Sequence, residues 1–262
     1  MDTKLPLLCF HAGTFGLVSY GILWIYQHFL DIGHNPFALV TFLTVWGQLI
    51  HFVFFFMATI VDLMDITSIG QSEPGLYYAF LKCRDLVYRS IAFPIGMFIT
   101  LMFWILYNID PALLMVDAPT SYPPVLNHIQ HTMPAVVMVI EMLFVNHQYH
   151  RQLKPVVAGL PTTANVYQDV GQVVSFNLTY LSILVVSRYV QGHWVYPFFE
   201  MIPLHSKIIF IFSSSCLSVS LYIITRQLNR WRWGGETEFL APIFGRKKRP
   251  LSQQPKPEKK DK

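Results

Sequence analysis

A hydroxyl becomes a working nucleophile only when a base takes its proton. An imidazole, with a pKa near ~6.5, suits that task at neutral pH. The sequence supplies both groups on apolar stretches. One stretch carries Thr41, Thr44, Gln48 and His51; at helical pitch these fall within an arc of about 80°, a single polar stripe. Another opens with Asn127, His128 and His131 and continues to Glu141; Asn127, His131 and Glu141 share a similar arc. Thr41 and His131 would make a nucleophile and its base. Asn127, one turn before His131, would orient the imidazole or donate to an oxyanion, and His128 and Gln48 are further oxyanion-donor candidates. Plainer roles stay open for the same residues. A helical Thr commonly bonds its own i−4 carbonyl, an intramembrane His can serve only to tie helices together, and Glu141 suits a packing partner for a polar group elsewhere. A metal is the competing chemistry, because His128 and His131 at i, i+3 can place two imidazoles on one ion. His34, Asp110, Asp117 and His193 would lie on the same side, but the second pair, His147 and His150, falls at the opposite face. No metal or other cofactor is expected.

The elements that must hold these groups follow from charge. Of 262 residues, 53% are hydrophobic and 13% charged, against roughly 25% charged in an ordinary soluble domain. Mean hydropathy is +0.41. This excludes a disordered chain, a disulfide-rich secreted domain and a typical cytosolic enzyme. Cys9, Cys83 and Cys216 are odd in number and scattered, which fits neither a disulfide framework nor a zinc cluster. Six stretches are nearly free of charge: the 26 residues between Lys4 and Asp31, Phe37 to Val61, Ser90 to Ile109, Leu126 to Asn146 interrupted only by Glu141, Val170 to Ser187, and Ile208 to Thr225. A helix needs ~20 residues to cross a bilayer core. The sequence therefore predicts an all-α bundle of six transmembrane helices, the first too long for the apolar region of a signal peptide. If the N-terminus is cytoplasmic, 17 of the 19 Lys and Arg fall on that side and only Arg188 and Lys207 opposite, so both termini are expected in the cytoplasm. Thr41 and His131 then enter the membrane from the same, non-cytoplasmic side, one to two turns deep at ~1.5 Å per residue.

Other polar groups on the spans should turn toward the bundle interior. Gln172, Ser175, Thr179 and Ser182 form such a face on the fifth, while the serines of the sixth read as close packing. The triplet Asn177-Leu178-Thr179 lies inside a span and is expected to stay unglycosylated. Residues 1–235 form the membrane domain and 236–262 a basic tail expected to be disordered. No nucleic-acid partner is expected. The tail ends Lys259-Lys260-Asp261-Lys262, a match to a dilysine retrieval signal. That predicts residence in the endoplasmic reticulum through contact of Lys259 and Lys260 with a retrieval coat.

Several short motifs together resemble one family. They are Val40-Thr41-Phe42-Leu43 with Gln48, Arg84-Asp85, Ala92-Phe93-Pro94, Phe103-Trp104-Ile105-Leu106-Tyr107, Leu126-Asn127-His128-x-x-His131-Thr132, His147-x-Tyr149 and Trp194-Val195-Tyr196-Pro197. In this order, over about residues 5–235, they look like the family of the androgen-induced protein and the androgen-dependent TFPI-regulating protein. The resemblance implies a multi-pass membrane threonine hydrolase that cleaves fatty acid esters of hydroxy fatty acids, with its essential Thr at Thr41 and its essential His at His131. The chain departs from the family pattern at Asn35-Pro36-Phe37-Ala38-Leu39, Val125 and Pro134, all flanking those two residues.

The expected function is thus a membrane-embedded carboxylic ester hydrolase acting on a lipid ester. Two other classes compete with it. One is a non-enzymatic membrane regulator or scaffold, whose polar stripes only hold helices together. The other is a small-solute transporter, although the dearth of charge across the midplane argues against ion coupling.

Overall fold

The computed structural model describes residues 4–31, 33, 36–67, 69–114, 122–147 and 166–233. Among these the chain is helical, with no strand: α1 (Lys4–Asp31), a 3₁₀ turn (Pro36–Thr41), α2 (Leu43–Ile66), α3 (Ile69–Ser72), α4 (Pro74–Val87), a π turn (Tyr88–Ala92), α5 (Phe93–Ile109), a 3₁₀ turn (Pro111–Leu113), α6 (Pro124–His131), α7 (Met133–Phe144), α8 (Val166–Gln191), α9 (Phe198–Met201) and α10 (Leu204–Trp233). Five helical runs are long and apolar enough to cross a membrane: α1, α2, the continuous stretch from Pro74 to Ile109, α8 and α10. The chain is a multi-pass membrane protein of the all-α class.

Prolines explain where the helices depart from the expected spans. The third span extends back to Pro74, which starts α4 at a position where a missing N–H costs nothing. Pro94 would clash with the carbonyl of residue 90 in a regular helix. The π turn over Tyr88–Ala92 widens the chain at that point and lets α4 run on into α5. The fourth expected span, Leu126 to Asn146, is two short helices instead. Thr132 breaks them with φ −111° and ψ −48°, because Pro134 cannot donate to the carbonyl of Gln130. His131 therefore ends a helix rather than lying within one.

Between lipid-facing helices, close packing rather than water exclusion drives association. Phe54, Phe55, Tyr88, Phe93, Met138 and Tyr222 form the centre of the buried cluster, drawn from α2, the π turn, α5, α7 and α10. Gly96 lets α5 approach α2: a Cβ there would lie 2.8 Å from Nε2 of the buried His51.

Beside this cluster runs a buried chain of ionisable groups. Nδ1 of His11 lies 2.6 Å from Asp62 and Nε2 lies 2.7 Å from Glu141. His147 lies 3.0 Å from the other Glu141 oxygen and 2.9 Å from Asp85, which also pairs with Arg84 at 2.8 Å. Both nitrogens of each imidazole thus face carboxylates, an arrangement that a doubly protonated ring satisfies with two donated bonds. Glu141 is the packing partner expected, joining α1 to α7. His147, expected at the membrane edge, is instead buried and stacked on Tyr88 at 3.6 Å between ring centroids. A second pair, Arg89 with Asp169 at 2.9 Å, ties the π turn to α8, and Tyr222 of α10 donates to the same Asp169 oxygen.

Of the expected polar face of the fifth span only Gln172 is part-buried, with its amide oxygen buried. Ser175, Thr179 and Ser182 are exposed on α8. Thr179 donates to the Ser175 carbonyl and Ser182 to the Leu178 carbonyl at 2.8 Å each; a hydroxyl bonded to its own helix can face lipid without an orphaned donor. Asn177 does turn inward and donates to Ser218 of α10 at 2.7 Å. The tail 236–262, with Lys259 and Lys260, lies outside the described residues, as do His34, Asp117 and His150.

Candidate active site

The backbone changes course three times around Thr41. Thr41 ends the 3₁₀ turn, Phe42 is extended at φ −93° and ψ 124°, and Leu43 begins α2. Phe42 makes no side-chain cap to the new helix. The N–H of Leu43 donates instead to the phenol of Tyr196 at 3.2 Å, and the Trp46 indole donates to the Val40 carbonyl at 2.7 Å. The carbonyl of Thr41 accepts from Tyr180 at 2.9 Å. The Thr41 hydroxyl itself donates to the Ala38 carbonyl at 2.7 Å.

His131 is buried, 7% exposed, at the end of α6. Its Nδ1 lies 2.7 Å from Oδ1 and 3.1 Å from the backbone carbonyl of Asn127. A carbonyl can only accept, so Nδ1 carries the proton and Nε2 presents its lone pair. The ring lies flat on Phe103, 3.5 Å between centroids and 8° between planes. In the neutral ring Nε2 is therefore a base held in a fixed position. The hydroxyl facing it is that of Thr44, at 3.4 Å, rather than that of Thr41 one turn earlier.

The remaining sequence candidates divide. Asn127 orients His131: its Oδ1 accepts the hydrogen bond of the ring Nδ1–H. His128 is exposed and turned elsewhere: its Nδ1 lies 3.0 Å from the Thr132 hydroxyl, which also accepts from the Trp104 indole at 3.1 Å. Gln48 is 3% exposed, and neither its amide nitrogen nor its amide oxygen has a hydrogen-bond partner among the described residues. It packs where α2 meets Gly21 of α1 and Ile129 of α6. Among the described residues no three His, Cys, Asp or Glu side chains gather into a group able to hold a metal.

Thr44 and Phe103 also line an apolar cavity of about 150 Å³ walled by α2, α5, α8 and α10. Ile99, Met102 and Leu106 supply one wall and Leu181 and Leu184 another, with Tyr180 and Tyr196 at the end nearest Thr44. Tyr180 and Tyr196 escaped the residue-by-residue reading. Tyr196 stood in the Trp-Val-Tyr-Pro motif, but nothing local marks Tyr180, because its partner is 139 residues away.

The family model described as FAR-17a/AIG1-like protein matches residues 8–230. The chain belongs to the FAR-17a/AIG1-like family. Relatives are similar over most of their own length. The androgen-dependent TFPI-regulating protein of Mus musculus is 28% identical over 229 residues, covering 83% of this chain and 91% of that protein. The androgen-dependent TFPI-regulating protein of Rattus norvegicus is 30% identical over 74% of this chain and 76% of its own. The androgen-induced gene 1 protein of Homo sapiens is 29% identical over 73% and 76%. No solved structure matches the chain. The FAR-17a/AIG1-like match runs from the first turns of α1 to the last turn of α10 and includes both Thr41 and His131.

Proposed function

We propose that this FAR-17a/AIG1-like chain is a membrane-embedded ester hydrolase whose substrates are fatty acid esters of hydroxy fatty acids. The supporting observation is the His131 geometry: a buried imidazole, held by Asn127 with its lone pair toward a hydroxyl on the wall of an apolar cavity. A base in hydrogen-bond reach of a hydroxyl is the signature of an activated nucleophile, and an apolar cavity suits a ligand with a fatty chain.

In the proposed reaction His131 Nε2 takes the proton of the Thr41 hydroxyl as the oxygen attacks the ester carbonyl. The tetrahedral intermediate expels the alkoxide of the hydroxy acid, which takes the proton back from His131. Water then attacks the acyl-threonine, giving its proton to His131; the Thr41 oxygen leaves, recovers that proton, and the second acid departs. Thr41 must first release the Ala38 carbonyl. A second reading of the nucleophile has its own support. Thr44 already faces Nε2 and the cavity, so the same steps can begin from its hydroxyl.

The two readings separate by assay. Membranes containing the wild type, Thr41→Ala, Thr44→Ala or His131→Ala are tested for release of fatty acid from such an ester and for labelling by a serine/threonine-hydrolase activity probe. With Thr41 as nucleophile, Thr41→Ala loses both labelling and turnover, while Thr44→Ala keeps its labelling. The reverse pattern would move the nucleophile to Thr44. Equal turnover in the wild type and His131→Ala would sink the hydrolase reading. Loss of the general base is expected to cost about 10²- to 10⁴-fold.

A further inference from the structure

The tyrosine pair beside the cavity has a directional geometry. The Tyr180 O–H lies 2.9 Å from the Thr41 carbonyl oxygen, which can only accept, so Tyr180 donates its one proton there. The two phenol oxygens are 3.0 Å apart, and with Tyr180 spent as donor the proton between them comes from Tyr196. The Tyr196 oxygen in turn accepts from the N–H of Leu43 at 3.2 Å. The pair thus closes a ring with the backbone of residues 41–43, where the 3₁₀ turn gives way to α2.

That junction needs an external partner. The first N–H groups of a helix have no partner within it, and Phe42 provides no side-chain cap. The carbonyl of the preceding turn is likewise left over. In a membrane interior an unmet backbone group costs several kcal/mol. Tyr180 comes from α8, and Tyr196 precedes α9. Neither makes a bond to His131; both act on the backbone that carries the hydroxyls of Thr41 and Thr44.

We propose that Tyr180 and Tyr196 are positioning residues: their hydrogen-bonded phenols fix the backbone at Thr41–Leu43 so that the hydroxyl-bearing turn meets His131. This rests on the hydrolase reading. Because both rings also line the cavity, removing the hydroxyls alone leaves the apolar wall in place.

The test uses the full chain, purified into lipid nanodiscs, as wild type, Tyr180→Phe, Tyr196→Phe and the double variant. Three quantities are measured: kcat and KM for a fatty acid ester of a hydroxy fatty acid, the thermal midpoint, and deuterium exchange of the peptide spanning residues 41–46. The expected result is a fall in kcat of about 10- to 100-fold in each single variant, with KM nearly unchanged. The double variant should be scarcely worse, because the two phenols act through one ring of bonds. Exchange at the Leu43 amide should quicken and the thermal midpoint should drop, while the variants stay fully folded at the assay temperature. Normal kcat in both single variants would overturn the proposal, and so would a fall in kcat matched by an equal loss of folded protein at that temperature. Failure of the hydrolase reading is separately visible. If the wild type cleaves no ester, exchange decides alone, and unchanged exchange at residues 41–46 would overturn the clamp itself.

Discussion

Asn127 reaches His131 twice, through its side-chain amide and through its backbone carbonyl. Substitution removes only the first of these. Asn127→Ala therefore leaves the tautomer set by the backbone but frees the ring to turn about its stack on Phe103. Turnover is expected to fall by about tenfold, less than the 10²- to 10⁴-fold expected from loss of the base itself. Asn127→Asp should also be impaired, because a carboxylate against Nδ1 favours the charged imidazolium, which cannot act as a base. Steady-state rates on membranes with matched protein levels check both. Wild-type turnover in Asn127→Ala would mean that the backbone carbonyl alone holds the ring. Thr41 and His131 act in one step, so their double variant should lose scarcely more rate than either single variant; additive losses would show that they work separately.

At the scale of elements, the site depends on a junction and a break rather than on long helices. Thr41 and Thr44 flank the start of α2, and His131 ends α6 where Pro134 stops the chain from continuing. Both ends are held by contacts with other elements. The opposite part of the bundle is joined by the chain from Asp62 through His11, Glu141 and His147 to Asp85. Glu141 is fully buried and bonds both imidazoles. Glu141→Gln removes the carboxylate shared by His11 and His147 and leaves each with one, Asp62 and Asp85, a loss of about 3–5 kcal/mol by the usual cost of breaking a buried pair. The measurement is the thermal midpoint in detergent, expected to drop sharply. Glu141→Gln/His11→Phe, which removes a charge of each sign, should recover part of the drop. An unchanged midpoint in Glu141→Gln would mean that the chain is already neutralised some other way.

At the scale of the whole molecule, charge decides placement. Of the eleven Lys and Arg from Arg226 onward, three lie in α10 and eight in the tail, which lies outside the described residues; together they dominate the positive-inside balance. The pair Lys259 and Lys260 is proposed as an endoplasmic reticulum retrieval contact. Lys259→Ser with Lys260→Ser, imaged with a tag at the N-terminus, should let the protein escape to later compartments. Unchanged residence would leave the tail as a topology determinant only. The topology itself should survive the change, since nine of the eleven Lys and Arg from Arg226 onward remain.

Much of this was legible in the sequence, because the bilayer imposes a one-dimensional code. Long uncharged stretches must be helices, as the backbone has no other way to satisfy itself in lipid; α1 follows its stretch closely, while α2, α8 and α10 overlap theirs with ends displaced by four to eight residues. Local periodicity also placed Asn127 one turn before His131, where it holds the imidazole. What the sequence left open are choices between partners far apart in the chain. Which hydroxyl meets Nε2 depends on how α2 rotates against α6 across 87 residues, and that rotation favours Thr44. Whether the polar residues of α8 face inward depends on whether each already has a bond, and the exposed Ser175, Thr179 and Ser182 show that a helix's own carbonyls suffice. The clamp of Tyr180 and Tyr196 on the backbone at Thr41 and Leu43 has no local signature at all. A hydrogen bond carries no information along the chain until packing brings its donor and acceptor within about 3 Å.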